Sequence, residues 1–229
     1  MKKTSSTALI GLLLTCLGGG ATAQTLVDVG KVVAAKGAGG AAACVSCHGT
    51  NGEGNAGAGF PRLAGLSANY LEKQLDDIAS DARPSALMGP VAKLLSEGDR
   101  RAVSQYYASL PPPYNVALIA ATAAADPAEN NRGAWLAIRG AWEKDLPACN
   151  QCHGPGGIGV GAAFPALAGQ PKQYLSAQLQ AWQTGKRSPF PLGLMPSVAT
   201  KMTVEDIDAV ATYYSELPQS ANSSAGQTK

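Results

Sequence analysis

The chain has no apolar run long enough to span a bilayer, which needs about 20 apolar residues. Its longest candidate, Ala8 to Leu17, falls short of that. No stretch of clustered Lys and Arg forms the basic stripe that a nucleic-acid surface requires. Alternating apolar and polar residues are absent, which argues against strands. Aromatic residues make up 6% of the 229 residues, so small domains cut from this chain are short of core-filling side chains. Histidine is scarcest: only His48 and His153 occur.

What is present begins with a leader. Lys2 and Lys3, the apolar stretch that follows, and the small residues Ala21-Thr22-Ala23 read as a signal peptide over residues 1–23, cut before Gln24. Cys16 could instead be a lipidated N-terminus, but Thr15 is a poor residue to precede it. Removing the leader leaves sixteen basic against sixteen acidic residues. The expected product is a neutral periplasmic protein that meets partners through local patches rather than a strong overall field.

Four cysteines remain, in Cys44-Val45-Ser46-Cys47-His48 and Cys149-Asn150-Gln151-Cys152-His153. Cys-x-x-Cys-His is the haem attachment signature. On a helical turn, positions i and i+3 share a face, so two sulfurs can form thioethers to the two vinyl groups of one haem. The next residue then places an imidazole under the iron. Disulfides or a tetrahedral zinc site would use the same cysteines, but neither explains a histidine after both pairs.

The second half repeats the first. Phe60-Pro61-Arg62-Leu63-Ala64-Gly65 returns as Phe164-Pro165-Ala166-Leu167-Ala168-Gly169, and Tyr70-Leu71 with Gln74-Leu75 returns as Tyr174-Leu175 with Gln178-Leu179. Tyr106-Tyr107 matches Tyr213-Tyr214, and Arg83 matches Arg187. The offset drifts only from 103 to 107 residues, as expected of one duplicated domain rather than a solenoid. Helical spacing marks segments near 28–37, 68–80 and 98–109, with counterparts near 131–142, 172–184 and 204–216. The expected plan is all-α: a domain over 24–112, a Pro- and Ala-rich linker over 113–130, a second domain over 131–219, and a disordered tail over 220–229. A unit of this size is marginal alone, and a haem bound only to the native state stabilises it.

With both histidines used at the attachment sites, neither iron can be bis-histidine. A methionine thioether is the remaining strong axial ligand. Met88 lies 11 residues before Asp99 and Met195 lies 11 before Asp206, so these two correspond. Met202 instead corresponds to the apolar Leu95 and reads as core.

These features resemble the cytochrome c4 family, two class I cytochrome c domains in tandem, over nearly the whole mature chain from Val29 to Pro218. The resemblance implies two covalently bound haem c groups, one on Cys44 and Cys47 with His48 and Met88 on its iron. The other sits on Cys149 and Cys152, with His153 and Met195. It further implies that Arg83 and Arg187 sit near the haem propionates, against the alternative of solvated surface arginines. The first and last helices of each domain would cross at Gly30 and Gly133. Related two-haem subunits serve sulfur-compound and alcohol dehydrogenases.

Filled axial positions suit electron transfer and leave no place for peroxide or oxygen, so the chain reads as a carrier rather than an enzyme. Its partners would be redox proteins, such as a membrane-bound oxidase or a dehydrogenase. A dehydrogenase's electron-accepting subunit is the alternative, and a dihaem peroxidase is weaker. From Asn131 onward there are eight basic and six acidic residues, against eight of each in the mature first half, which leads to the expectation of a higher potential at the second haem.

Overall fold

The computed structural model describes residues 19–187 and 193–226, with side chains over 24–187 and 193–219. In the first half, α1 (Gly19–Lys36) is followed by the short α2 (Val45–His48), then α3 (Ala68–Ala79), α4 (Met88–Leu94) and α5 (Glu97–Ser109). A further helix, α6 (Val116–Thr122), leads into α7 (Arg132–Ile138), α8 (Cys149–His153), α9 (Lys172–Gln183), α10 (Leu194–Ala199) and α11 (Val204–Gly226). The described residues contain isolated bridges but no named strand.

Local chemistry sets the helix starts. The Ser67 hydroxyl accepts from the Tyr70 amide to open α3. Ser96 and Asp99 form a reciprocal capping box at α5, and Thr203 with Asp206 repeats it at α11. Asp206 is buried and also receives Arg132 at 2.6 Å and Lys144 at 2.9 Å, tying α7 and the turn after it to α11.

In each half the first and last helices cross, α1 on α5 and α7 on α11. They meet at Gly30 and Gly133. A Cβ on either would run into the carbonyl of Ala102 or Ala209 and come within 2.8 Å of the Tyr106 or Tyr213 Cβ. Around these crossings lie two apolar cores. One gathers Val33, Leu66, Leu71, Leu95, Val103 and Tyr107; the other gathers Leu136, Leu146, Met202, Ile207, Val210 and Tyr214.

Two segments depart from the expected plan. The linker is partly structural: Asn115 caps α6, and Ile119, 1% exposed, is built into the second core. Its Cγ2 fills the space beside Gly156, where a Cβ would approach within 2.6 Å. The expected tail is also partly helical, since α11 runs through Pro218 to Gly226. Leu217 and Pro218 are buried, and Pro218 lies beside the Gly169 loop. Packing there outweighs proline's tendency to end a helix. Residues 227–229, and the greater part of the leader, lie outside the described residues.

Candidate haem sites and the interface between them

Each attachment motif forms a helical turn, α2 or α8, closed by a glycine at positive φ (83° at Gly49, 78° at Gly154). None of the four cysteines is paired in a disulfide. Each pair lies in its own half, and no group of three or more His, Cys, Asp or Glu among the described residues is placed to hold a metal ion.

The histidines are oriented from behind. His48 Nδ1 donates to the Pro61 carbonyl at 2.9 Å, and His153 Nδ1 donates to the Pro165 carbonyl at 2.7 Å. A carbonyl only accepts, so the proton sits on Nδ1 and the Nε2 lone pair is left for a metal. Burial lowers both imidazole pKa values and keeps that lone pair free of a proton. The rings of Phe60 and Phe164 flank them at 6.3 and 6.1 Å.

Cys44, Cys47, His48 and Met88 all line one cavity of about 760 Å³, together with apolar side chains such as Leu71 and Val103. Its size and lining suit a large flat apolar group. Met88 opens α4 and Met195 takes the matching place at the start of α10, both half-buried. Residues 188–192, just before Met195, lie outside the described residues. Met202 is 7% exposed and belongs to the second apolar core.

Arg83 and Arg187 face each other's halves. Arg83 donates to Gln74 in its own half at 3.1 Å, then crosses to Tyr174 at 3.1 Å and Gln178 at 2.7 Å. Arg187 donates to Gln178 at 3.0 Å and crosses to Gln74 at 2.6 Å. The Trp182 ring stacks 4.1 Å from the Arg187 guanidinium. These arginines are therefore not solvated surface groups. Burial works to raise the Tyr174 hydroxyl, but the two guanidiniums outweigh it and hold that hydroxyl below its ordinary pKa. Gln74 Nε2 and Trp182 Nε1 are buried without an acceptor. Two cations and the spare Gln74 donor beside an apolar cavity fit a cofactor with anionic edges. Both arginines, with Gln74 and Gln178, line the first cavity.

The comparisons agree with this geometry. Residues 32–111 match the model of the family described as cytochrome c, and residues 133–213 that described as cytochrome c oxidase, cbb3-type, subunit III. Cytochrome c4 of Azotobacter vinelandii is 36% identical over 217 residues, covering 90% of this chain and 96% of that protein. The chain belongs to the cytochrome c4 family. A thiosulfate dehydrogenase electron acceptor of Stutzerimonas stutzeri (strain A1501) is 48% identical over 179 residues, covering 78% of this chain and 81% of that one. A solved thiosulfate dehydrogenase (TsdBA) from Marichromatium purpuratum superposes with TM-score 0.72 at 41% identity, over 82% of this chain. The match spans 40% of that longer chain.

As a member of the cytochrome c4 family, the chain is an all-α protein of two cytochrome c domains with two covalently bound haem c groups. It is an electron carrier and not itself a catalyst. Sequence reasoning missed the joining of Arg83 and Arg187 into one cluster. Their matched positions marked them, but no local pattern reports a contact between residues 91 to 113 positions apart.

Proposed function

We propose that this cytochrome c4-family protein is exported to the periplasm and accepts electrons from a dehydrogenase acting on thiosulfate, passing them to a terminal oxidase or another acceptor. The similarity that carries this reading is the 48% identity to a thiosulfate dehydrogenase electron acceptor over most of both chains. Residues 1–23 are the export signal, and no helix among the described residues is long and apolar enough to cross a membrane.

In this reading, Cys44 and Cys47 anchor the first haem and Cys149 and Cys152 the second. His48 with Met88, and His153 with Met195, would hold the two irons. A haem held at each site would supply one-electron redox chemistry. With a histidine and a methionine available at each site, the side chains would keep the group's surroundings unchanged on electron transfer, which favours little rearrangement. The shared cluster of Arg83, Arg187, Gln74 and Gln178 supports a relay, because it draws the two sites onto one interface.

The test mixes the oxidised two-haem protein with a thiosulfate dehydrogenase and thiosulfate and follows haem reduction. Fast reduction of both haems at sub-stoichiometric enzyme is expected. Reduction no faster than that of an unrelated monohaem cytochrome would remove thiosulfate oxidation as the source of electrons and leave the carrier role in place.

A further inference from the structure

Arg62 is 0% exposed and has no carboxylate partner among the described residues. Its Nη1 donates to the Ala64 carbonyl, and its Nη2 donates to the Ala168 carbonyl at 3.1 Å and the Tyr114 hydroxyl at 3.2 Å. Ala64 and Ala168 are the same position of the repeat. Each follows by three residues the proline carbonyl that holds its half's histidine. One guanidinium thus bridges the two loops that orient the two histidines.

The neighbouring contacts reinforce the bridge. The Arg62 amide donates to Gln170 Oε1 at 3.0 Å, and Gln170 Nε2 donates back to the Arg62 carbonyl at 2.9 Å. The Tyr114 ring stacks 5.3 Å from the guanidinium. The repeat is broken here. Position 166 is alanine, 6% exposed and packed into the first half's core. A second arginine there would put two cations into one dry contact. Taking a charge out of water is costly unless its donors are met, and Arg62 Nε remains buried without a partner. A group held at that cost is explained if its charge is used.

We propose that Arg62 is a single cation shared by the two haem sites: it fastens the halves together and biases both irons toward the ferrous state. A fixed positive charge opposes the extra positive charge of ferric iron, and inside the protein it escapes the screening that weakens exposed charges. On this basis the surplus of basic residues in the second half counts for less than this one buried group. The inference rests on His48 and His153 being the haem ligands and not on the identity of the electron donor.

The experiment compares Arg62→Met, Arg62→Lys and Gln170→Ala in the intact two-haem protein by redox titration at low and high salt and by thermal unfolding. Haem content and low-spin spectra, read first, report on the ligand assignment separately. Arg62→Met is expected to lower both midpoints at either salt concentration and to lower the unfolding temperature. Arg62→Lys is expected to recover most of the midpoint shift, since it keeps the charge, but not the stability. Gln170→Ala loses the reciprocal clamp and keeps the charge, so it should unfold earlier with midpoints near wild type. Unchanged midpoints in Arg62→Met, a shift at one haem only, or a shift that disappears in high salt would each overturn the shared-cation role. If Arg62→Met fails to accumulate, Arg62→Lys and Gln170→Ala decide. Midpoints near wild type with earlier unfolding in both would uphold the charge, whereas a clear fall of both midpoints in both variants, each of which keeps the charge, would assign the effect to geometry and overturn it.

Discussion

Gly30 lies against the backbone carbonyl of Ala102, with no room for a side chain between them, and Gly133 repeats the contact on Ala209. The helices on either side, α1 with α5 and α7 with α11, form the main crossing of each half. A methyl group at Gly30 or Gly133 has to push a helix backbone aside. Overpacking of this kind costs about 1–3 kcal/mol. Gly30→Ala and Gly133→Ala should each lower the unfolding free energy by that measure, read from urea denaturation followed by circular dichroism. Wild-type stability in either variant would mean that the crossing relaxes freely.

Asp206 gives the second half a dependence on acid. Burial acts to raise its pKa, but Lys144, Arg132 and the Thr203 amide outweigh burial and hold it at about 2, below the ordinary 3.8. A depressed folded-state pKa stabilises above the unfolded value, and that contribution is lost as pH falls from about 4 toward 2. The shift corresponds to about 2 kcal/mol. Asp206→Asn should lose that stability at neutral pH and show a flatter stability profile between pH 4 and 2. An unaltered acid limb in the variant would exclude Asp206 as its source.

Much of this architecture was legible because the repeat doubles every signal. Met88 alone is an ordinary apolar residue, but paired with Met195 at a matched distance from an acidic helix start it becomes a ligand candidate. Helical periodicity located α3, α5, α9 and α11 within a residue or two at their starts. The failures share a cause, which is tertiary contact. An Ala-rich stretch after three prolines gives no strong periodicity, so α6 read as linker until Ile119 was found in the second core. Residues from 220 onward read as a disordered tail because the burial of Leu217 and Pro218, which carries α11 onward, cannot be seen along the chain. Arg62 showed only as a mismatch with Ala166, and its acceptor on Ala168 lies 106 positions away.

Arg83 and Arg187 now carry a sharper expectation than potential tuning alone. Each donates across the interface as well as within its own half. Buried hydrogen bonds from charged donors contribute about 1.5–3 kcal/mol each. Arg187→Gln removes the bonds to both glutamines and the stacking on Trp182, so it should lower thermal stability and shift the potentials. Arg83→Gln, in the less buried partner position, should do the same more weakly. Redox titration and calorimetry on the same samples check both effects. Unmoved potentials with lowered stability would assign the cluster to the interface alone.

Met88 and Met195, and not Met202, are expected to hold the irons. Met88 lines the first cavity beside His48, and Met195 holds the matching place at the start of α10. Met202 lies in the apolar core beside Ile207 and Val210. Removing a thioether ligand opens one axial position to water, changes the spin state and lowers the potential. Met88→Ala and Met195→Ala should therefore each abolish about half of the weak far-red absorption from sulfur on ferric iron and gain carbon monoxide binding at one haem. Met202→Ala should keep both ligands and lose only packing, about 2–5 kcal/mol for a buried methionine. The wild type should resist carbon monoxide at both haems. Ready binding to the wild type at one haem would mean that its axial position is open, and a ligand-binding role at that site would replace simple electron transfer.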